Sequence, residues 1–195
     1  MIFSNADIKK AIEQGKVIIE PLPEDIQYNS SALDLRLGNE FKEYDEKLLK
    51  QKGTQVVVDY SHFYPAKFLQ AYLKDIPLET DGSLIVKPGD FILAKTLEKI
   101  HLPIEHQIAA RVEGRSSAAR LGLVIHLACP TIHAGFKGNI TLEIINQGPA
   151  YIRLDPGKDR ICQLVFEQVL SKPENGVLSQ FQNQTSVTGN KSNQK

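Results

Sequence analysis

The sequence has no tryptophan, one methionine and two cysteines in 195 residues, and it carries no excess of either charge, with 23 lysines and arginines against 23 aspartates and glutamates. A chain without a bulk positive field has little with which to hold a polymeric nucleic acid by counterion release, so no nucleic acid polymer is expected as a partner. A local basic pocket for a single triphosphate stays permitted. No stretch approaches the roughly 18 uninterrupted apolar residues of a membrane span. The opening MIFSNADIKK has neither the basic start nor the apolar core of a signal peptide. No membrane association and a cytoplasmic location are the expectation. Cys129 and Cys162 are too few and too far apart for a disulfide scaffold or a structural zinc site, and both read as reduced, buried thiols. Also missing are the phosphate-binding Gly-x-x-x-x-Gly-Lys loop, the dinucleotide Gly-x-Gly-x-x-Gly and the Cys-x-x-Cys pair of zinc-dependent base deaminases. ATPase, dehydrogenase and zinc-deaminase readings therefore have no support, and His126 and His133, which flank Cys129, read as sheet residues rather than as metal ligands.

The length suits one domain, residues 1–170, followed by a polar tail, residues 171–195. Ser4 with Asp7 has capping-box spacing, Ile8, Ala11 and Ile12 share a face, and Gly15 can close the turn, so a short helix is predicted there. Short runs rich in β-branched residues follow: VIIEP, SALDLRLG, QVVVDY from Gln55, SLIVKPGDFILAKTLEKI and HQIAARVEG, then LVIHLACPTIH, NITLEIINQG, YIRLDPGKD and RICQLVFEQVL. Lys87-Pro88-Gly89-Asp90 is a turn between two of them. Strands this short and closely spaced predict a mainly β fold, a barrel or jelly-roll-like arrangement with short helices. In the tail only Val177, Leu178, Phe181 and Val187 can anchor to anything, so it is expected to be mobile on its own.

Between two strands lies RSSAARLG, which suits a turn or two of helix closed by Gly122. At its mouth Arg115, Ser116 and Ser117 bring a guanidinium, two hydroxyls and free backbone amides together, a combination that serves equally as an ordinary cap or as a phosphate contact. Arg120, in the last turn, is favoured by the helix dipole whether or not a ligand is present. In NITLEIIN the alternation sets Ile140, Leu142 and Ile144 on one face and Thr141, Glu143 and Ile145 on the other. Glu143 is then either a solvent-facing glutamate or a partly desolvated carboxylate fit to shuttle protons.

The segment RVEGRSSAARLGLVIHLACPTIHAGFKGNITLEIINQGP resembles the signature region of the dCTP deaminases, and SALDLRLGNEF, FILAKTLEKIHLP and PGKDRICQLVFE are similar as well, so the resemblance spans nearly all of residues 1–170. It implies a distorted dUTPase-type β-barrel, a homotrimer with active sites between subunits, and magnesium carried by the nucleotide's triphosphate, with no zinc. The implied reaction is hydrolytic deamination of dCTP to dUTP and ammonia. By position, Glu143 would be the general acid/base, Ser116 and the Cys129 carbonyl would hold the water, and Arg120 would orient the glutamate. Arg115, Ser117 and Thr141 would contact the nucleotide, Phe136 would lie beneath the deoxyribose, and Gln184 matches a glutamine of the family's closing segment. His133 stands where many relatives carry an aspartate that meets the sugar 3′-hydroxyl and that, in bifunctional deaminase–diphosphatases and dUTPases, also helps activate water for phosphate cleavage, which weighs against release of dUMP. Pro130 and Thr131 replace bulkier polar residues, and Gln180 replaces a lysine. A dUTP diphosphatase, a bifunctional enzyme and a non-catalytic nucleotide-binding relative are the alternatives. The tail is expected to order over a bound triphosphate.

Overall fold

The β-branched runs can satisfy their backbone groups only by pairing with one another, and in the computed structural model, which describes residues 1–50, 55–62, 64–176 and 181–189, most of them do. The chain opens with α1 (Asn5–Glu13), β1 (Ile18–Glu20), β2 (Tyr28–Asn29) and the long β3 (Ala32–Tyr44). An excursion follows through α2 (Glu46–Leu49), α3 (Pro65–Tyr72) and β4 (Leu73–Asp75). Then come β5 (Leu84–Val86), β6 (Phe91–His101), β7 (Ile108–Gly114), α4 (Ser116–Arg120), β8 (Leu123–Val124) and β9 (Thr131–Ile132). β10 (Lys137–Asn146), β11 (Ile152–Leu154) and β12 (Arg160–Gln168) complete the order.

Ten strands make one antiparallel sheet whose path runs β8-β10-β6-β3-β12-β7-β9, with β1 added on β6 and β2 and β4 on β3. β5 and β11 form a separate two-stranded sheet. The path has two ends, β8 and β9, each two residues long, so the architecture is jelly-roll-like and the barrel does not close. Two-residue terminal strands offer too few ladder bonds to join edge to edge.

The core lies between the sheet faces. Leu33, Leu35 and Leu37 of β3, Leu142 and Ile144 of β10, and Leu164 and Phe166 of β12 are all fully buried, each stabilising the fold by roughly 1.5–3 kcal/mol relative to exposure. α1 forms as the sequence predicts: Ser4 Oγ accepts from the Asp7 amide, the Asp7 carboxylate accepts from the Ser4 amide, and Ile8 and Ala11 face the core. The turn at Lys87–Asp90 is closed by the Asp90 amide donating to the Lys87 carbonyl at 3.1 Å, with Gly89 at φ +86°.

Three expectations fail, one of them being the placing of His126 and His133 in the sheet, since both lie in irregular segments just beyond β8 and β9. The run from Gln55 forms no strand: residues 55–59 are irregular and Val57 is 88% exposed. β-propensity there finds no neighbouring edge to pair with, because the excursion between β3 and β4 is built on helices. Of the cysteines, Cys162 is buried, and burial pushes its thiol far above the usual range, but Cys129 is exposed. Cys129 falls in an irregular segment between β8 and β9 with φ at +59°, a conformation that a regular strand would not allow.

Candidate active site

β10 carries the site. Its burial alternates along its whole length, so Ile140, Leu142 and Ile144 enter the core while Thr141, Glu143 and Ile145 stand half-buried on the opposite face. The register pairs Glu143 with Leu93 of β6, and the terminal strand β8 meets β10 only at Ile145 and Asn146, so the carboxylate stands two residues short of that pairing, near the edge of the sheet. Above that face lies a cavity of about 530 Å³, within the usual range of small-molecule sites.

Several parts of the chain wall this cavity, with Phe91 and Leu93 of β6 and Val112 of β7 among the lining residues. β10 supplies Thr141 and Glu143, and the turn before it supplies Phe136. The stretch from His126 to His133 supplies Cys129 and Thr131 as well as both histidines. The end of β3 supplies Tyr44 and the excursion supplies Leu69, with Tyr44 stacked on Phe91 at 6.0 Å and Phe68 of α3 lying 6.2 Å from Tyr44. α3 exists because Pro65 sits at its first turn, where a missing N–H costs nothing. The tail supplies Phe181, Gln184 and Val187.

The Glu143 side chain is 30% exposed and accepts at Oε2 within 3.1 Å of His126 Nδ1. It is therefore neither loose in bulk solvent nor sealed in the core. The Gln184 Nε2 donates to the Asn139 carbonyl at 2.7 Å and to Thr141 Oγ1 at 3.2 Å, tying the tail to β10. Among the described residues that wall the cavity, Glu143 is the one carboxylate, and no lysine or arginine joins it.

The cations are elsewhere. Arg115 and Ser117 line a second cavity of about 610 Å³ together with Arg36, Lys158 and Arg160, opposed by Glu24 and Asp159. Arg115 is held there by Asp34, a carboxylate only 1% exposed, which also accepts from Arg160 at 3.1 Å and from Asn29 at 2.8 Å. Ser116 and Arg120 sit on the exposed side of α4 and line neither cavity. So six of the ten candidate residues (Glu143, Cys129, His133, Phe136, Thr141 and Gln184) surround one space, Arg115 and Ser117 another, and Ser116 and Arg120 face outward within this chain.

Sequence reasoning missed His126 as the partner of Glu143. Its only signal is its place at the end of a β-branched run shortly before the Cys129 loop, and contact with position 143 depends on how β8 lies beside β10. The walls from α3 carry no signal at all. Gln180, Val177 and Leu178 lie outside the described residues.

An open, antiparallel, jelly-roll-like sheet with a carboxylate turned into a small-molecule cavity defines the class. The model of a family described as dCTP deaminase-like matches residues 2–169. A Methanosphaera stadtmanae protein named "dCTP deaminase, dUMP-forming" is 41% identical over 174 residues, covering 89% of this chain and 82% of that one. A Haloarcula marismortui "dCTP deaminase" is 38% identical over 170 residues, covering 87% and 81%. Among solved structures, the 2′-deoxycytidine 5′-triphosphate deaminase of Agrobacterium tumefaciens shares the fold at a TM-score of 0.63 and 22% identity, over 85% of this chain and 47% of that one. The chain belongs to the dCTP deaminase-like family.

Proposed function

We propose that this protein deaminates dCTP to dUTP and ammonia, with Glu143 as the proton shuttle. The single observation that carries the reading is the Glu143 carboxylate, half-buried on the central part of β10 and turned into a cavity of about 530 Å³. A carboxylate in that setting can take a proton from water as the oxygen adds to C4 of cytosine and the C4=N3 electron pair moves to N3, deliver that proton to N3, then carry the remaining hydroxyl proton to the amino nitrogen as the C4–N bond breaks, C4=O forms and ammonia leaves. Phe136 lies against the sugar, where a 2′-hydroxyl would be crowded, and His133 meets the 3′-hydroxyl.

A triphosphate needs cations, and among the described residues the cavity wall offers none. The reading therefore brings in α4 of a second copy in a homotrimer: its Ser116, with the Cys129 carbonyl, holds the water, its Arg120 orients Glu143 and stabilises the tetrahedral adduct, and its Arg115 and Ser117 take the phosphates. The outward-facing position of Ser116 and Arg120 supports this arrangement. Magnesium, carried by the nucleotide's phosphates, would offset their charge.

The competing reading, in which pyrophosphate is also released to give dUMP, draws on the name of the Methanosphaera relative. Cleavage at phosphorus would call for a second carboxylate to activate water, and His133 occupies the place the family resemblance gives to it. Incubation with dCTP and magnesium followed by nucleotide chromatography decides between them: dUTP should accumulate without pyrophosphate, whereas dUMP and pyrophosphate would establish the competing product. Glu143→Gln should keep nucleotide binding and lose on the order of 10²–10⁴-fold in turnover. A variant with full activity would remove Glu143 from the mechanism.

A further inference from the structure

The tail segment 181–189 is held against the body of the fold by a polar clasp made by two residues that take no part in the reaction as proposed, Glu40 and Lys95. Lys95 of β6 donates to the Thr185 carbonyl and forms an ion pair with Glu40 of β3 at 3.0 Å. The same Glu40 carboxylate accepts from Ser186 Oγ at 2.6 Å and from the Val187 amide at 3.3 Å. One acid and one base, on adjacent strands, thus grip three consecutive residues of the tail. Their side chains are 21% and 19% exposed, so solvent competes only in part.

What the grip positions is the cavity wall. On one side of it, Gln184 bridges in parallel to Gly138 and is 4% exposed; on the other, Val187 is 1% exposed and Thr188 is 7% exposed. Both Gln184 and Val187 line the cavity that holds Glu143. The segment contributes one fully buried aliphatic side chain, Val187. Burying one such side chain is worth roughly 1.5–3 kcal/mol, little against about 1–2 kcal/mol per residue for ordering nine residues of backbone. Polar contacts must supply the difference, and those made by Glu40 and Lys95 are charge-assisted.

We propose that Glu40 and Lys95 are positioning residues that preorganise the tail as a wall of the substrate cavity, so that the strength of the clasp sets the apparent affinity for the nucleotide. The catalytic consequence rests on the deaminase reading given above; the clasp itself does not. If only a fraction of molecules has the wall in place, the apparent dissociation constant rises by the inverse of that fraction. The catalytic step at Glu143, once the nucleotide is bound, is untouched.

The burial of Glu40 would by itself raise its carboxyl, but the hydrogen bonds from Ser186 and Lys95 outweigh it and hold the group below its ordinary value of 4.5. The carboxylate is therefore charged at neutral pH, as an ion pair with Lys95 requires.

The test uses the full-length protein with Lys95→Met, Glu40→Gln and the charge-preserving Lys95→Arg. Hydrogen exchange of nucleotide-free protein should speed up in residues 181–189 and at the Asn139 amide, which donates to the Gln184 carbonyl, in the first two variants, with the amides of β3, β6 and β10 beyond Asn139 unchanged, and should return toward wild type in Lys95→Arg. KM for dCTP should rise about tenfold, as expected for weakening one or two charge-assisted bonds, while kcat at saturation stays within about twofold. Exchange in 181–189 that is unaltered by Lys95→Met and Glu40→Gln would overturn the proposal, as would faster exchange spread evenly over the whole chain, which marks general destabilisation. A wild-type protein that forms no dUTP would defeat the deaminase reading instead, and the exchange result would still decide the clasp.

Discussion

At the scale of single residues, the site is built on charges whose partners are far away in sequence. Asp34, on a strand with both faces covered, is the clearest case: a carboxylate 1% exposed that accepts from Arg115 and Arg160. Nothing in SALDLRLG marks it, since strand alternation predicts only that Asp34 faces away from Leu33 and Leu35. Removing Asp34 leaves Arg115 and Arg160, whose side chains are 27% and 30% exposed, without the buried carboxylate they share. Asp34→Ala should therefore cost about 3 kcal/mol of stability, read from urea denaturation, and should release Arg115 from its place beside Ser117. An unchanged midpoint would mean that water substitutes for the carboxylate. Glu143 and His126 follow the same rule. The alternation of β10 shows which face Glu143 takes, but the 3.1 Å approach of His126 comes from tertiary packing.

At the scale of elements, short-range chemistry is well expressed in the sequence. α1 has its capping box, β10 its alternation, and α4 its closing glycine at φ +83°. Gly122 does more than close a helix. A Cβ there would lie 2.4 Å from the Gly148 amide nitrogen and 2.6 Å from the Gly148 Cα, while the Gly122 carbonyl accepts from the Gln147 amide at 2.8 Å. α4 is thus pinned to the turn after β10 by backbone contact that admits no side chain. Gly122→Ala should destabilise the protein by more than about 1 kcal/mol from the left-handed conformation alone, with the clash added. It should also reduce deamination, because Arg115, Ser116 and Arg120 all ride on α4. A melting temperature equal to wild type would show that the close approach relaxes freely. The elements the sequence misrepresents are those in the excursion: QVVVDY has strand composition without a strand to join, and α3 takes its place over the cavity through ring contacts between Tyr44, Phe68 and Phe91.

At the scale of the whole molecule, one chain separates the parts of the proposed machinery. Glu143 faces one cavity, Arg115 and Ser117 face another, and Ser116 and Arg120 point outward. If sites form between copies, Glu143→Gln and Arg120→Met should each be inactive alone, yet a mixture refolded or exchanged at equal concentrations should regain about a quarter of wild-type activity, because random assembly leaves that share of sites with both side chains intact. No recovery in a mixture shown to have exchanged subunits would place the whole site within one chain. The sequence by itself determined the mainly β fold class, the faces of β10, the caps of α1 and α4, and the family, because each depends on spacing along a few residues or on a contiguous signature. Only the tertiary structure decided that the sheet stays open, that His126 meets Glu143, that Asp34 anchors Arg115, and that Glu40 and Lys95 hold the tail. Those are contacts across tens of residues, and their partners are chosen by strand order and register, which composition and periodicity do not encode.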